Sequence, residues 1–169
     1  MEYKIDKMLD ADWEQVRNIF IQGIETKNAT FETEAPSWEE WNQGHIQECR
    51  LVVRDGEKVL GWAALSPISS RRAFTGIAEL SIYFSLDSVG KGIGTKLIQT
   101  VIESSEAAGF WTLQSGIFPE NISSIRLHEK AGFRMIGIRE RMGKLDDVWR
   151  DVAMMERRSE IVGIDETMK

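Results

Sequence analysis

Three glycines in five residues, Gly90-Lys91-Gly92-Ile93-Gly94, stand between an apolar run at residues 77–85 and a segment whose Leu97, Ile98, Val101 and Ile102 recur at helical spacing. A strand, a glycine loop and a helix in that order constrain the fold more than any other feature of the chain. Glycine backbones bring N–H groups up to a bound anion without side-chain obstruction. The start of the following helix adds partial positive charge, and Lys91 and Lys96 add more. The unit reads as a pyrophosphate cradle. Two familiar cradles do not fit it. A nucleoside-triphosphate loop needs Gly-Lys-Ser/Thr after four spacer residues, and the order here is Gly94-Thr95-Lys96. A dinucleotide fingerprint needs a third glycine where Thr95 stands, within a repeated parallel βαβ pattern. A turn that merely shortens the loop is the plainer alternative.

The rest of the chain supplies the elements around this unit. Tyr3 and Ile5 alternate with charged residues, as in a half-buried strand. Asp10 or Asp12 can cap a helix whose apolar face carries Trp13, Val16, Phe20 and Ile24. Residues 26–36 break that pattern and read as a loop. Ser37-Trp38-Glu39-Glu40 is a capping box opening a second helix to about Glu48, with Trp38, Trp41 and His45 on one face. The turn Asp55-Gly56 joins two strands as a hairpin. A strand at 111–117 follows the glycine-loop helix, which Gly109 ends. Asn121 caps a helix that Gly132 stops, and strands near 133–140 and 148–156 close the order. The expected order is β-α-α-β-β-β-α-β-α-β-β, one mixed α/β domain over residues 1–158 with a tail, 159–169, that lacks periodicity and is expected to fray.

Composition narrows the function. A chain of 169 residues with 42% hydrophobic content supports one sizeable core. The net charge of −6 argues against nucleic acid as the main partner. No apolar run has the length of a membrane span, and the charged start lacks a secretory core. Cys49 is the single cysteine, so no internal disulfide forms and a cytoplasmic setting is expected. Two histidines and one cysteine make no convincing zinc set, so no metal is expected. His45 and Cys49 lie four apart. A Cys-His nucleophile is conceivable there, but no elbow or third orienting group accompanies it, and a packed helix face is the preferred reading.

Val89-Gly90-Lys91-Gly92-Ile93-Gly94 resembles the acetyl-CoA signature of the GNAT acetyltransferase superfamily, Gln/Arg-x-x-Gly-x-Gly/Ala. Val89 departs from it, which removes a side chain and no backbone donor. The stretch from Asn121 through His128 to Phe133 is similar to the family's second CoA-proximal helix. Ala29-Thr30-Phe31-Glu32-Thr33-Glu34, Ser70-Arg71-Arg72-Ala73-Phe74, Ala78-Glu79-Leu80-Ser81-Ile82-Tyr83 and Val148-Trp149-Arg150-Asp151-Val152 look like the phosphinothricin and methionine sulfoximine N-acetyltransferases. The resemblance implies a mostly antiparallel central sheet flanked by helices, acetyl-CoA as co-substrate, a small-molecule amine as acceptor, and a homodimer. It implies acetyl-CoA contacts from Ile82, Tyr83, Phe84, Val89, Gly90, Lys91, Gly92, Ile93, Gly94, Thr95, Asn121 and Ser124. Backbone N–H groups near residues 82–84 are the implied oxyanion donors.

Acetyl transfer from a thioester to an amine needs a base for nitrogen, donors for an oxyanion and an acid for sulfur. Glu79 sits in an otherwise apolar strand. Position alone suits an outward carboxylate or an ion pair, and the resemblance implies a general base acting through water or an attractor of the substrate ammonium. His128 could be a helix histidine satisfied by a neighbour. The resemblance makes it an acid or base near the sulfur. Asn121 is sufficiently explained as a cap, and a contact to CoA is compatible with that. Arg71 and Arg72 suit a substrate carboxylate or phosphinate, or form a solvated loop pair. Phe31, Thr30 and Thr33 suit an acceptor pocket, and Phe31 suits equally a core anchor. Two other functions fit the same residues. One is acetylation of a polyamine, an aminoglycoside or a protein N-terminus. The other is a non-catalytic acyl-CoA sensor, which would need the cradle without Glu79 and His128.

Overall fold

A computed structural model describes residues 2–88 and 92–165. The element order matches the expectation: β1 (Lys4–Lys7), α1 (Trp13–Glu25), α2 (Trp38–Gly44), β2 (Leu51–Asp55), β3 (Lys58–Pro67), β4 (Ile77–Phe84), α3 (Ile93–Ala107), β5 (Thr112–Ile117), α4 (Ile122–Lys130), β6 (Arg134–Leu145) and β7 (Val148–Arg158). The strands form one seven-stranded sheet in the order β1-β2-β3-β4-β5-β7-β6. Every neighbouring pair is antiparallel except β4 and β5. On one face α3 seats Leu97, Ile98, Val101 and Ile102 against Leu60, Ala63, Leu65 and Leu80. On the other, Val16 and Ile19 of α1 and Trp41 of α2 pack on Val52, Val59, Trp62 and Ala64. β3 is buried on both faces, which explains its unbroken apolar run.

A bulge sets which aromatic groups reach which face. Val53 pairs with Gly61 and Arg54 with Val59, so Leu60 is an extra residue without a partner. The inserted residue puts Val59 and Trp62 on the α1 side and Leu60 on the α3 side. Without it, strict alternation would turn Trp62 to the other face.

Local sequence signals are met at α2 and α4. Ser37 Oγ accepts from the Glu40 N–H and the Glu40 carboxylate accepts from the Ser37 N–H. Asn121 caps α4 by accepting from the Ser124 N–H. Three expectations are corrected. Asp12 does not cap α1. Its carboxylate takes a two-pronged bond from Arg54 at 2.9 and 2.8 Å, and a bond from the Leu9 N–H. That guanidinium holds the Asp12 carboxyl below its ordinary range. α2 ends at Gly44, with His45 already extended, so His45 and Cys49 share no helix. Cys49 is buried and accepts a hydroxyl hydrogen bond from Ser104. The chain after Arg158 is anchored for several residues: Ser159 N–H donates to the Trp111 carbonyl, and Ser159 Oγ accepts from the N–H groups of Ile161 and Val162.

Candidate active site

β4 and β5 pair over three positions only, Ile77 with Thr112, Ala78 with Leu113 and Glu79 with Gln114. Both strands then continue, β4 to Phe84 and β5 to Ile117, without pairing to each other. The β5-facing edge of β4 beyond Glu79 has no strand partner among the described residues. A cavity of about 970 Å³ opens at this parting, with Leu80, Ser81, Ile82, Tyr83, Ser115 and Gly116 in its wall. Backbone polar groups require partners, and a parted parallel pair leaves a row of them for a ligand. The expected oxyanion donors near residues 82–84 lie on this strand.

Side chains alternate along a strand, so the cavity receives them from both faces of the sheet. Tyr83 packs with the α1-side cluster, whereas Leu80, Ile82 and Phe84 pack with the α3-side cluster. Glu79 therefore comes from the α1 side. It is open to the cavity and has no hydrogen bond or ion pair among the described residues, and partial removal from water pushes its carboxyl up. His128 comes from the α3 side and is 2% exposed. Its Nδ1 lies 2.7 Å from the Ser124 carbonyl and its Nε2 lies 3.1 Å from Ser115 Oγ. A carbonyl only accepts, so this network assigns the proton to Nδ1. Burial pushes the imidazole below its ordinary range, which keeps it neutral. Nε2 then accepts from the Ser115 hydroxyl. Phe133 closes the ring edge-on at 4.9 Å.

The glycine loop resolves into distinct parts. Val89, Gly90 and Lys91 lie outside the described residues. Gly92 precedes α3 at φ +74°, a left-handed conformation, and a Cβ there would meet nothing within 4 Å. Among the described residues no side chain caps α3, and its first N–H groups are suited to an anion. Gly94 serves packing: a Cβ would come within 3.3 Å of Leu127 and 3.4 Å of Phe84. Ile93 belongs to the core, leaving only its backbone for a ligand. Thr95 is exposed and, with Gly92, Lys96 and Gln99, lines a second depression of about 390 Å³. A helix start entered through a left-handed glycine beside exposed Lys96 fits the pyrophosphate of acetyl-CoA. Ile82 and Tyr83 line the main cavity, and Phe84 packs beneath Gly61 and Gly94 instead. Burial pushes the Tyr83 phenol up to about 12. Asn121 lines the cavity with its side chain already used in capping and in donating to the Asn28 carbonyl. Ser124 lines it too.

On the acceptor side Phe31 meets Phe118 edge-on at 4.8 Å, and both line the cavity with Thr30 and Thr33. Arg71 and Arg72 are not brought to this wall. They occupy the exposed loop before β4, where Arg71 lies over the Phe74 ring at 5.2 Å. The arginine in the wall is Arg139 of β6, which has no ion-pair partner among the described residues. It faces a cavity that also contains Glu32, Glu34, Glu40 and Glu79. Sequence reading missed Arg139, Ser115 and the wall residues Gln114 and Met142. Strand pairing puts Arg139 beside Val152, and no local pattern announces it. Among the described residues no cluster of His, Cys, Asp and Glu is suited to a metal, and no helix is long and apolar enough to cross a membrane.

The acetyltransferase (GNAT) family matches this chain over residues 8–133. A phosphinothricin N-acetyltransferase of Streptomyces viridochromogenes is 30% identical over 155 residues, covering 89% of this chain and 85% of that protein. An L-methionine sulfoximine/L-methionine sulfone acetyltransferase of Pseudomonas paraeruginosa is 34% identical over 107 residues, 63% of this chain and 62% of that protein. Among solved structures, a GNAT superfamily phosphinothricin acetyltransferase from Sinorhizobium meliloti in complex with acetyl-CoA superposes with a TM-score of 0.82. It is 28% identical, with 98% of each chain covered.

Proposed function

The chain belongs to the GNAT acetyltransferase family, and from that premise we propose that it acetylates the amino group of a small amino acid or amino-acid analogue of the phosphinothricin, methionine sulfoximine or methionine sulfone kind. Acetyl-CoA supplies the activated acetyl thioester. The observation that carries the acceptor reading is one cavity holding a carboxylate, Glu79, and a guanidinium, Arg139, neither with an ion-pair partner among the described residues, with Phe31, Phe118, Met142 and Val152 also in its wall. A zwitterionic acceptor matches that set. Glu79 attracts the ammonium and takes its proton through water. Arg139 holds the carboxylate, phosphinate or sulfone oxygens, the role expected of Arg71 and Arg72. The N–H groups on the free edge of β4 near residues 82–84 receive the oxyanion, and those at the start of α3 hold pyrophosphate. His128 handles the proton at sulfur. The reading also carries a cytoplasmic setting and a homodimer, and the exposed apolar residues Ile136, Ile138, Val148 and Trp149 of β6 and β7 support the homodimer.

The four glutamates in the wall favour a second acceptor class, polyamines and other polycations, because Arg71 and Arg72 do not oppose it from this cavity. Initial rates of free-thiol release with methionine sulfone, methionine sulfoximine, phosphinothricin, spermidine and an aminoglycoside separate the two. The amino-acid reading expects at least one of the first three to be fastest. A clear preference for spermidine or the aminoglycoside replaces it by the second.

A further inference from the structure

His128 lines the cavity at 2% exposure, with both ring nitrogens already engaged by protein groups. Its Nδ1–H is committed to the Ser124 carbonyl at 2.7 Å, and its Nε2 faces Ser115 Oγ at 3.1 Å. The ring is walled by Phe133 and is 2% exposed. The groups facing it are Ser115 from β5, Ser124 from α4 and Phe133 from the turn before β6, and none of the three titrates near neutral pH. Any proton entering or leaving Nε2 along this network passes through the Ser115 hydroxyl. Ser115 is itself 2% exposed and lies in the wall of the cavity, immediately past the last β4–β5 pair.

We propose that Ser115 and His128 form a proton shuttle in which the serine hydroxyl is the contact with the reacting atoms. The inference rests on the acetyltransfer reading above. When the acceptor nitrogen forms its C–N bond, its remaining surplus proton passes to Ser115 Oγ while the Ser115 proton passes to Nε2. The imidazolium so formed stays bonded to the Ser124 carbonyl through Nδ1. When the C–S bond breaks, Nε2 returns a proton to Ser115 Oγ and the serine passes one to sulfur. Serine and histidine end as they began, and one proton has moved from nitrogen to sulfur. The first ammonium proton leaves separately, through Glu79. A lowered imidazole basicity suits this role, because a weakly held proton is readily handed back.

Ser115→Ala, Ser115→Thr and His128→Phe test the shuttle. Ser115→Ala should lower kcat by about tenfold or more, with KM for acetyl-CoA and for the acceptor changed by less than about twofold, the signature of an interaction used in the chemical step. Ser115→Thr keeps a hydroxyl and should recover most of the rate. In substrate-free protein, NMR titration of the His128 imidazole should shift in Ser115→Ala, because the partner of Nε2 is gone. The low-pH limb of kcat should move with it. A purely structural Ser115 would lower stability and shift the imidazole while leaving kcat at wild-type level. Full-rate Ser115→Ala beside an impaired His128→Phe overturns the shuttle and leaves the role of His128 intact. Loss of rate that Ser115→Thr does not recover, with an unmoved imidazole titration, also overturns it. Wild-type protein that releases no thiol with any amine overturns the shuttle and the acetyltransfer reading together.

Discussion

Glu79 and His128 enter the same cavity from opposite faces of the sheet, and their surroundings differ in kind. Glu79 has no bonding partner among the described residues and is open to the cavity. His128 is enclosed, with both ring nitrogens bonded. Burial moves the two basicities toward each other, raising the carboxyl and lowering the imidazole. The difference shows that a parted strand pair can present two unlike walls to one ligand. In the proposed reaction the open wall would receive a hydrated ammonium that exchanges protons with water, and the closed wall would keep one proton path dry for the leaving group.

The largest expected effect comes from removing either group. Glu79→Gln and His128→Phe should each lower kcat by about 100-fold or more, with acetyl-CoA affinity retained. Equal, full rates in both variants would leave positioning alone as the catalyst and erase the contrast between the walls. Next comes the cradle on the His128 side. Gly92→Val puts a β-branched residue at φ +74° with its side chain in the open space before α3. Acetyl-CoA binding by calorimetry should weaken by about tenfold or more, on the scale of one lost charge-assisted bond. On the Glu79 side, Arg139→Ala should raise KM for methionine sulfone by about tenfold and leave KM for acetyl-CoA unchanged. Replacing Arg71 and Arg72 should do less if the cavity of one chain holds the whole acceptor.

The smallest effects are on stability, and their signs oppose each other. His128, like His45, is lowered from 6.5, so below that pH the unfolded chain takes up protons that the folded one refuses. Tm should fall as pH drops below about 6.5, and less so in His128→Phe. Glu79 is raised from 4.5, so the folded protein holds its proton longer and loses stability as pH rises above that value. Glu79→Gln should therefore raise Tm slightly at neutral pH while abolishing most activity. A lowered Tm at pH 7 would mean that the carboxylate is a structural partner.

Features with short-range causes were legible in the sequence. The capping box at Ser37, the cap at Asn121 and the turn at Gly56 each depend on residues within a few positions of one another. Long-range features were not. Asp12 has the composition of a helix cap, yet it pairs with Arg54, which is 42 residues away. Arg71 and Arg72 looked like acceptor ligands by residue type, whereas the arginine at the cavity reaches it only through the pairing of β6 with β7. The parting of β4 from β5 leaves no mark in the composition of either strand. Ser115 became visible only when α4 set His128 above β5.

The most direct measurement is the initial rate of free-thiol release from acetyl-CoA with methionine sulfone, in wild-type protein and in Glu79→Gln. Wild-type protein should release thiol in step with N-acetylated product, faster than with spermidine, and Glu79→Gln should retain about 1% or less of that rate. Thiol release that favours spermidine, or that is unchanged in Glu79→Gln, would contradict the account.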